Sequence, residues 1–291
     1  MDDAWLDEIE PATSPPFVRM GTRALGRSPW LLGGDDVPGQ LDEKRRVLAA
    51  HHHEVVAALD GTEDAAAELL AAVRAELAPL DEPAPEEGSR PRAPVTAGAG
   101  AEGLLDAAGR LVAEDLCLLV ERDGRWVLGA GSLCFPSHWR LRDKLGLPLA
   151  QVHDPVPDYA TDLADKVDRF LDRLRPGRER GVRRRNWTVH HEPDLYAPAV
   201  PPPPDPPVEP EEAPDRLWLR SERQTLTRLP DTGAIVFTIR TQQVRIGAVV
   251  SRPDLRLRLA EAVAAWPPHQ VAYRGGEAIR RPLLAWLRRA G

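Results

Sequence analysis

Two pairs of apolar segments, each pair joined by a tight-turn sequence, constrain the fold of this 291-residue chain most. Residues 116–121 and 126–135 flank Asp123-Gly124, a dipeptide suited to the positive φ angles of a two-residue hairpin turn. Residues 217–229 and 234–241 also have strand character and are joined by Pro230-Asp231-Thr232-Gly233. Because hairpins join antiparallel neighbours, the two pairs predict an antiparallel sheet.

Helical patterns surround the two predicted hairpins. Apolar residues recur at helical spacing in residues 41–59, 62–77, 161–174, 254–265 and 278–289. The order of helices, hairpin, helix, hairpin and helices predicts an α+β fold in which helices cover an antiparallel sheet. We expect residues 1–40 to form an N-terminal arm and residues 41–291 a single domain. Proline-rich insertions are expected at about residues 79–96 and 198–214.

Composition excludes several functional classes. The 38 basic and 45 acidic side chains give a formal net charge of −7, which argues against nucleic acid as the main partner. No run of about 18 apolar residues occurs, so we expect no membrane-spanning helix and no membrane partner. The first residues are acidic and lack a basic and then apolar leader, which predicts a cytoplasmic protein. Cys117 and Cys134 provide neither a disulfide framework nor a CxxC metal or iron–sulfur motif.

A glycine motif at residues 98–103 has the G-x-G-x-x-G spacing of a dinucleotide-binding loop. That loop follows a buried strand in nucleotide-binding folds. Here a proline-containing segment, SRPRAPVT, precedes it, and prolines disrupt such a strand. We interpret the glycines as part of a flexible linker.

His153 is the histidine that most resembles a metal ligand. It lies in Val152-His153-Asp154-Pro155-Val156-Pro157, where two prolines fix the backbone immediately after it. A rigid loop aims an imidazole ring more accurately than a flexible one does, as metal ligation requires. The alternative is an ordinary loop histidine.

The segment 217–229 combines strand alternation with charge. Alternation places two sets of side chains on opposite faces: Arg220, Glu222 and Gln224 on one, and Leu217, Leu219, Ser221 and Arg223 on the other. The neighbouring segment 234–241 is almost entirely apolar until Arg240, which predicts a central position for both strands. Since buried charges need partners, the pattern indicates either a polar site or an internal ion pair.

Several motifs, in a fixed order and spacing, carry a family resemblance. They are Glu114-Asp115-Leu116-Cys117, Ser132-Leu133-Cys134-Phe135-Pro136-Ser137-His138-Trp139, Lys144-Leu145-Gly146, His153-Asp154-Pro155-Val156-Pro157, Arg185-Asn186-Trp187, Glu222-Arg223-Gln224-Thr225-Leu226, Arg228-Leu229-Pro230 and Phe237-Thr238-Ile239-Arg240-Thr241. Over about residues 15–290, the chain resembles the heme-dependent oxidative N-demethylases. The long polyproline insertion and the arginine-rich approach to Asn186 look peculiar to this chain.

The resemblance implies a PAS-like α+β fold with heme b against the sheet. It implies oxidative removal of a methyl group, as formaldehyde, from a small secondary amine such as dimethylamine, with O2 as co-substrate. Electrons would come from NAD(P)H through a flavin and iron–sulfur reductase. Because this chain lacks the cysteines and nucleotide loop of such a reductase, a separate partner would supply it.

By position, the resemblance also assigns roles to individual residues. His153 becomes the expected proximal iron ligand, with its other ring nitrogen donating to a carbonyl or carboxylate. Cofactor-binding residues are expected at Arg185, Arg240 and Arg223, because guanidinium groups pair with propionates. For catalysis, Trp187 is expected to offer its ring face to a protonated amine, and Glu222 to supply a counter-charge or relay protons.

Two other functional classes stay open from the sequence. The chain could be a heme- or ligand-binding sensor without turnover, since a fold does not fix a function. It could also be an interaction protein that has lost heme and docks through its polyproline segment. The arginine-rich residues 173–185 are open to two interpretations, a docking surface for the reductase or a solvated face.

Overall fold

Antiparallel strand pairing organises the chain around one sheet. The computed structural model describes residues 3–78 and 100–289, and in these ranges the sheet has seven strands. The strands are β1 (Arg23–Ala24), β2 (Val56–Ala58), β3 (Asp115–Arg122), β4 (Arg125–Ser132), β5 (Val182–His190), β6 (Trp218–Arg228) and β7 (Ile235–Arg245). Their order is β1-β5-β6-β7-β3-β4-β2, and every neighbouring pair is antiparallel.

The helices cover this sheet on both faces. They are α1 (Val37–Val55), α2 (Glu63–Leu77), α3 (Ala101–Gly109), α4 (Leu141–Lys144), α5 (Leu149–Val152), α6 (Tyr159–Asp162), α7 (Ala164–Arg173), α8 (Ala213–Arg216), α9 (Pro253–Ala265), α10 (Pro268–Tyr273) and α11 (Glu277–Arg289). The predicted α+β fold is therefore confirmed. Among the described helices, none is both long and apolar enough to cross a membrane.

Both predicted hairpins are present. Asp123 and Gly124 have φ angles of 51° and 71° and connect β3 directly to β4. Positive φ at both central residues is the conformation that makes an Asp-Gly pair favourable in a two-residue turn. The second hairpin joins β6 to β7, which share eleven paired positions from Trp218 to Arg228.

Buried apolar clusters fix the helices on the two faces of the sheet. On one face, α2 and α3 contribute Leu69 and Leu105 to a cluster that includes Leu116 of β3. On the other face, Leu149 of α5 packs in a cluster with Ile239 of β7. Since alternate residues of a strand point to opposite sides, these two clusters lie on opposite faces.

The N-terminal residues contribute to both the sheet and the core. Trp5, Leu6 and Ile9 are buried against α9 and α11, and residues 23–24 pair with β5 as strand β1. The predicted insertion at about 79–96 and the first glycine of the 98–103 motif lie outside the described residues. Gly100 immediately precedes α3.

A completely buried lysine joins α1 to the start of β3. The Lys44 ammonium group lies 3.5 Å from the Asp115 carboxylate, and neither side chain is more than 1% exposed. Lys44 also donates hydrogen bonds to the carbonyl oxygens of Gly109, Val112 and Glu114. The charge is therefore surrounded by acceptors, as a charged group in a protein interior must be.

Candidate functional site

Strand register sorts the polar side chains of β5 and β6 onto two faces. In an antiparallel pair, directly opposite residues share a face, and alternate residues point to opposite sides. Arg184 is opposite Gln224, and Asn186 is opposite Glu222. These four side chains therefore form one polar strip across the two strands.

This strip lies on the same side of the sheet as His153. Gln224 is also opposite Ile239 of β7, so Ile239 shares the face of the strip. The Ile239 side chain packs in the same buried cluster as Leu149 and half-buried Val152 of α5. His153 directly follows α5 and ends it. We refer to this side of the sheet as the His153 face.

The imidazole ring of His153 is held on two sides by the protein. Its Nδ1 atom lies 2.8 Å from the carbonyl oxygen of Leu149. A carbonyl only accepts, so Nδ1 carries the proton and Nε2 keeps its lone pair. The ring also stacks on Tyr159, with centroids 4.1 Å apart and planes within 9°. Burial lowers the pKa of His153, an effect that the Leu149 hydrogen bond opposes and the charge of Arg184 reinforces.

Glu222 is the carboxylate of the polar strip. Its Oε2 atom accepts hydrogen bonds from Gln224, at 2.9 Å, and Asn186, at 3.5 Å. Among the described residues, no hydrogen bond ends on its Oε1 atom. Glu222 and Gln224, on the His153 face, are half-buried. Arg223 and Thr225, which point to the opposite face of β6, are buried. The His153 face is therefore the more open side of β6.

Arg184 is a candidate site residue that the sequence did not predict. Its guanidinium is half-buried, and within residues 3–78 and 100–289 it makes no hydrogen bond or ion pair. Burial lowers the pKa of Arg184, and the negative charge of Glu222 partly offsets this. Arg184 shares a face with Glu222 because it lies opposite Gln224 in the β5–β6 pair. The arginine-rich segment shows no strand alternation in the sequence, so this pairing could not be predicted from it.

Trp187 and Arg185, also predicted as site residues, lie on the opposite face of β5. The Arg185 guanidinium donates to Glu8 at 3.1 Å, to Ser221 at 3.2 Å and to Gln242 at 3.0 Å. Its donors are therefore directed at protein acceptors rather than toward His153.

Trp187 already has a cation on its ring. The Arg274 guanidinium lies 5.6 Å from the centroid of Trp187 and 4.9 Å from that of Trp266. The two indoles stack on each other with centroids 5.8 Å apart. The interaction predicted for a protonated amine is thus made here by an internal side chain.

Arg223 and Arg240 share that opposite face and are likewise paired within the protein. Arg223 donates to the carbonyl oxygens of Pro29 and Trp30. Arg240 donates to Asp36 at 2.8 Å and to the amide oxygen of Gln40. Of the predicted site residues, the structure brings Glu222 and His153 to one face and places Arg185, Arg223, Arg240 and Trp187 on the other. A propionate-binding role for the three arginines stays a prediction.

A cavity of about 260 Å³ lies along residues 242–244 of β7. It is lined by Trp5, Asp35, Asp36, Gln40, Pro193, Leu195, Trp218, Gln242, Gln243 and Val244. Sites for drug-sized ligands and cofactors commonly have about 300–1,000 Å³. None of the predicted site residues lines this cavity, so we do not assign a cofactor to it.

The stacked pair of His138 and His190 is expected to make stability depend on pH. His190 stacks on His138, with ring centroids 4.5 Å apart, and burial lowers the pKa of His190 to about 2, assisted by the charge of Arg220. The unfolded chain takes up this proton below about pH 6.5, whereas the folded protein does not. Stability is therefore lost as the pH falls from 6.5 toward 2.

When the pH falls from 7.5 to 5, protonation of His190 in the unfolded chain should lower the free energy of unfolding by about 2 kcal/mol. The loss is about 1.4 kcal/mol for each pH unit below 6.5. Urea unfolding of His190→Gln at both pH values should show a smaller loss than in the wild type. The exposed variant His53→Gln serves as the control. An unchanged pH dependence in His190→Gln would refute this explanation.

The model of a family described as haem-dependent oxidative N-demethylase, alpha subunit-like, matches residues 87–284, about two thirds of the chain. The chain belongs to this family. An N-demethylase family of this description consists of oxidative, heme-dependent enzyme subunits, and the term alpha subunit implies a partner subunit.

Two side chains of the His153 face, His153 and Arg184, are of the kinds that bind heme, the cofactor of this N-demethylase family. In the described part of the chain, no three His, Cys, Asp or Glu side chains are grouped to hold a metal ion by themselves. Heme iron needs less from a protein, because the porphyrin supplies four ligands and one axial imidazole suffices. His153 offers such an imidazole, with its tautomer fixed by Leu149, and Arg184 offers a cation without a protein acceptor.

Proposed function

We propose that this protein is the heme-binding catalytic subunit of an oxidative N-demethylase. In this proposal heme b lies on the His153 face, and the substrate is a small secondary amine such as dimethylamine. The observation that carries it is the Nδ1 hydrogen bond of His153 to Leu149, which leaves Nε2 without a hydrogen bond among the described residues, in a ring that feels the charge of Arg184. We also propose that the sheet is PAS-like and that the protein is cytoplasmic, as the sequence analysis predicts.

Each of three side chains at this site has a different proposed role, and two of them would bind the heme. His153 would hold the iron through Nε2, while the Leu149 carbonyl keeps the ring in the required tautomer. Arg184 would pair with a propionate, because its guanidinium is directed at no other described acceptor. When bound, heme b supplies the iron at which oxygen is reduced, chemistry that no side chain provides.

Glu222 would bind and deprotonate the amine. A protonated secondary amine has two N–H donors, and the Oε1 atom of Glu222 is available to accept from one of them. The carboxylate then takes the proton, because the neutral amine is the more readily oxidised form. Gln224 and Asn186 keep the carboxylate in place through Oε2.

The overall reaction requires a partner that delivers electrons. One dimethylamine, one O2, two electrons and two protons give methylamine, formaldehyde and water. We propose that the electrons come from NAD(P)H through a separate flavin and iron–sulfur reductase. The alpha-subunit description of the family supports such a partner.

A heme titration followed by a formaldehyde assay tests the proposal. We expect a Soret band when the purified protein binds hemin, and formaldehyde from dimethylamine under air with NADPH and a surrogate reductase. A Soret band without formaldehyde would favour the sensor interpretation. Absence of a Soret band would favour a protein that has lost heme.

The neighbouring residues Arg184 and Arg185 form a matched pair for this titration. Arg184→Ala should weaken hemin affinity about 10- to 150-fold, since a charge-assisted hydrogen bond contributes about 1.5–3 kcal/mol when desolvated and about 1.4 kcal/mol is a factor of ten. Arg185→Ala should leave the affinity within about twofold but lower the free energy of unfolding, because Arg185 binds Glu8, Ser221 and Gln242. The reverse result would place the cofactor on the opposite face of the sheet.

A further inference from the structure

The backbone of Asp158 has an unusual conformation for its place in the chain. Asp158 is the residue that precedes α6, a position that ordinarily has extended backbone angles. Its φ is instead 66°, in the left-handed region that few non-glycine residues adopt. Such a conformation persists when surrounding contacts hold it.

The side chain of Asp158 is directed away from its own helix. An aspartate before a helix normally accepts a hydrogen bond from the first-turn N–H groups, but Asp158 makes no such bond. Its carboxylate instead accepts from Gln270 Nε2 at 3.1 Å and lies 3.1 Å from His269 Nε2. We call these two contacts between the α6 loop and α10 the Asp158 clasp.

α10 is a fixed attachment point for the clasp. Gln270 is completely buried, and its amide oxygen accepts from Arg274 at 3.3 Å. Arg274 also donates to the backbone carbonyl of Trp187 in β5 at 3.4 Å. The clasp therefore connects the α6 loop, through α10, to β5.

The residue after Asp158 reaches His153 directly. Tyr159 places its ring parallel to the His153 imidazole at 4.1 Å. Between them the chain forms two tight turns, with hydrogen bonds from Val156 N to His153 O and from Tyr159 N to Val156 O. Asp158 is thus connected to the His153 ring through one peptide unit and one stacking contact.

We propose that Asp158 is a positioning residue, which holds the Tyr159 ring against His153 by fastening the α6 loop to α10. The effect of this fastening on a bound heme rests on the proposed function. The fastening itself is a property of the protein without heme, and it is tested separately.

The first test uses heme-free protein. We expect amide hydrogen exchange in residues 153–162 to rise about tenfold or more in Asp158→Ala, since two hydrogen bonds to α10 are lost. The His153 ring resonances should shift in the same variant. Asp158→Asn keeps an acceptor oxygen and tolerates the left-handed conformation, so it should stay within about threefold of wild type. Asp154→Ala, at an exposed position in the same loop, should have no effect.

Asp158→Gly distinguishes the effect of losing the carboxylate contacts from the effect of straining the backbone at this position. Glycine adopts the positive φ without cost but has no carboxylate. We expect it to behave like Asp158→Ala. Unchanged exchange and unchanged His153 resonances in Asp158→Ala and Asp158→Gly would overturn the proposal.

The second test uses protein loaded with hemin. Asp158→Ala should shift the Soret maximum and broaden the electron paramagnetic resonance signal, and Asp158→Asn should restore both. If exchange rises but the spectra stay at wild-type values, Asp158 does not position His153 and the proposal is overturned. If the wild-type protein binds no hemin, the proposed function fails, and the heme-free exchange still decides the role of the clasp.

Discussion

Replacing His153 by alanine is expected to lower formaldehyde formation from dimethylamine at least about 100-fold and to change the Soret band of the hemin complex. Loss of a residue that only orients a metal ligand typically costs about 10–100-fold, and loss of the ligand itself should cost more. In the proposed site His153 is the axial protein ligand, so the alanine variant removes the bond that the protein would make to the iron. Absorbance spectroscopy and a formaldehyde assay measure the two effects.

The matched control is His52→Ala. His52 lies on α1, with its side chain 47% exposed near Asp106, so its removal should alter neither the spectrum nor the activity. In His153→Gly, added imidazole should restore the wild-type spectrum by occupying the vacated space. An unaltered spectrum in His153→Ala would exclude His153 as the ligand.

The second large effect is expected on stability. Lys44→Met should lower the free energy of unfolding by about 3–5 kcal/mol, because it leaves the Asp115 carboxylate buried without its cation. Asp115 would keep its hydrogen bonds from the backbone N–H groups of Cys134 and Phe135. Three carbonyl oxygens that Lys44 now binds would lose their donor. Chemical denaturation at neutral pH measures the difference.

Two further variants check this explanation. Lys166→Ala, on the exposed side of α7, should change the free energy of unfolding by less than about 0.5 kcal/mol. The double variant Lys44→Met, Asp115→Asn should be more stable than Lys44→Met alone, since the buried charge is then gone. A Lys44→Met protein as stable as wild type would contradict a structural role for the pair.

Local patterns in the sequence predicted most of the regular structure. The Asp123-Gly124 turn, the alternation in β6 and the apolar period of α9 and α11 are all short-range signals, and each element appears within a few residues of its expected limits. The predicted split of the polar residues of β6 between two faces is also confirmed. These features depend on neighbours in the chain, which a single sequence contains.

The face to which a given arginine points was harder to predict. Seven arginines lie between residues 173 and 185, and a run of identical charges carries no alternation. The structure forms β5 from the last part of this run, with Arg183 and Arg185 on one face and Arg184 on the other. Arg183, Arg184 and Arg185 are half-buried, whereas Arg173, Arg175 and Arg180 are exposed, so the docking and solvated-face interpretations of the segment both stay open.

Because of the alternation in β5, we expect the proposed heme site to be sensitive to the length of the chain that leads into this strand. Removing one residue from 174–181 without moving β6 would slide the strand by a single position. Arg184 would then take the place of Arg183 or Arg185, and a structural arginine would be presented to the cofactor. Single-residue deletions in this connection should therefore abolish hemin binding even where they spare the hydrophobic core.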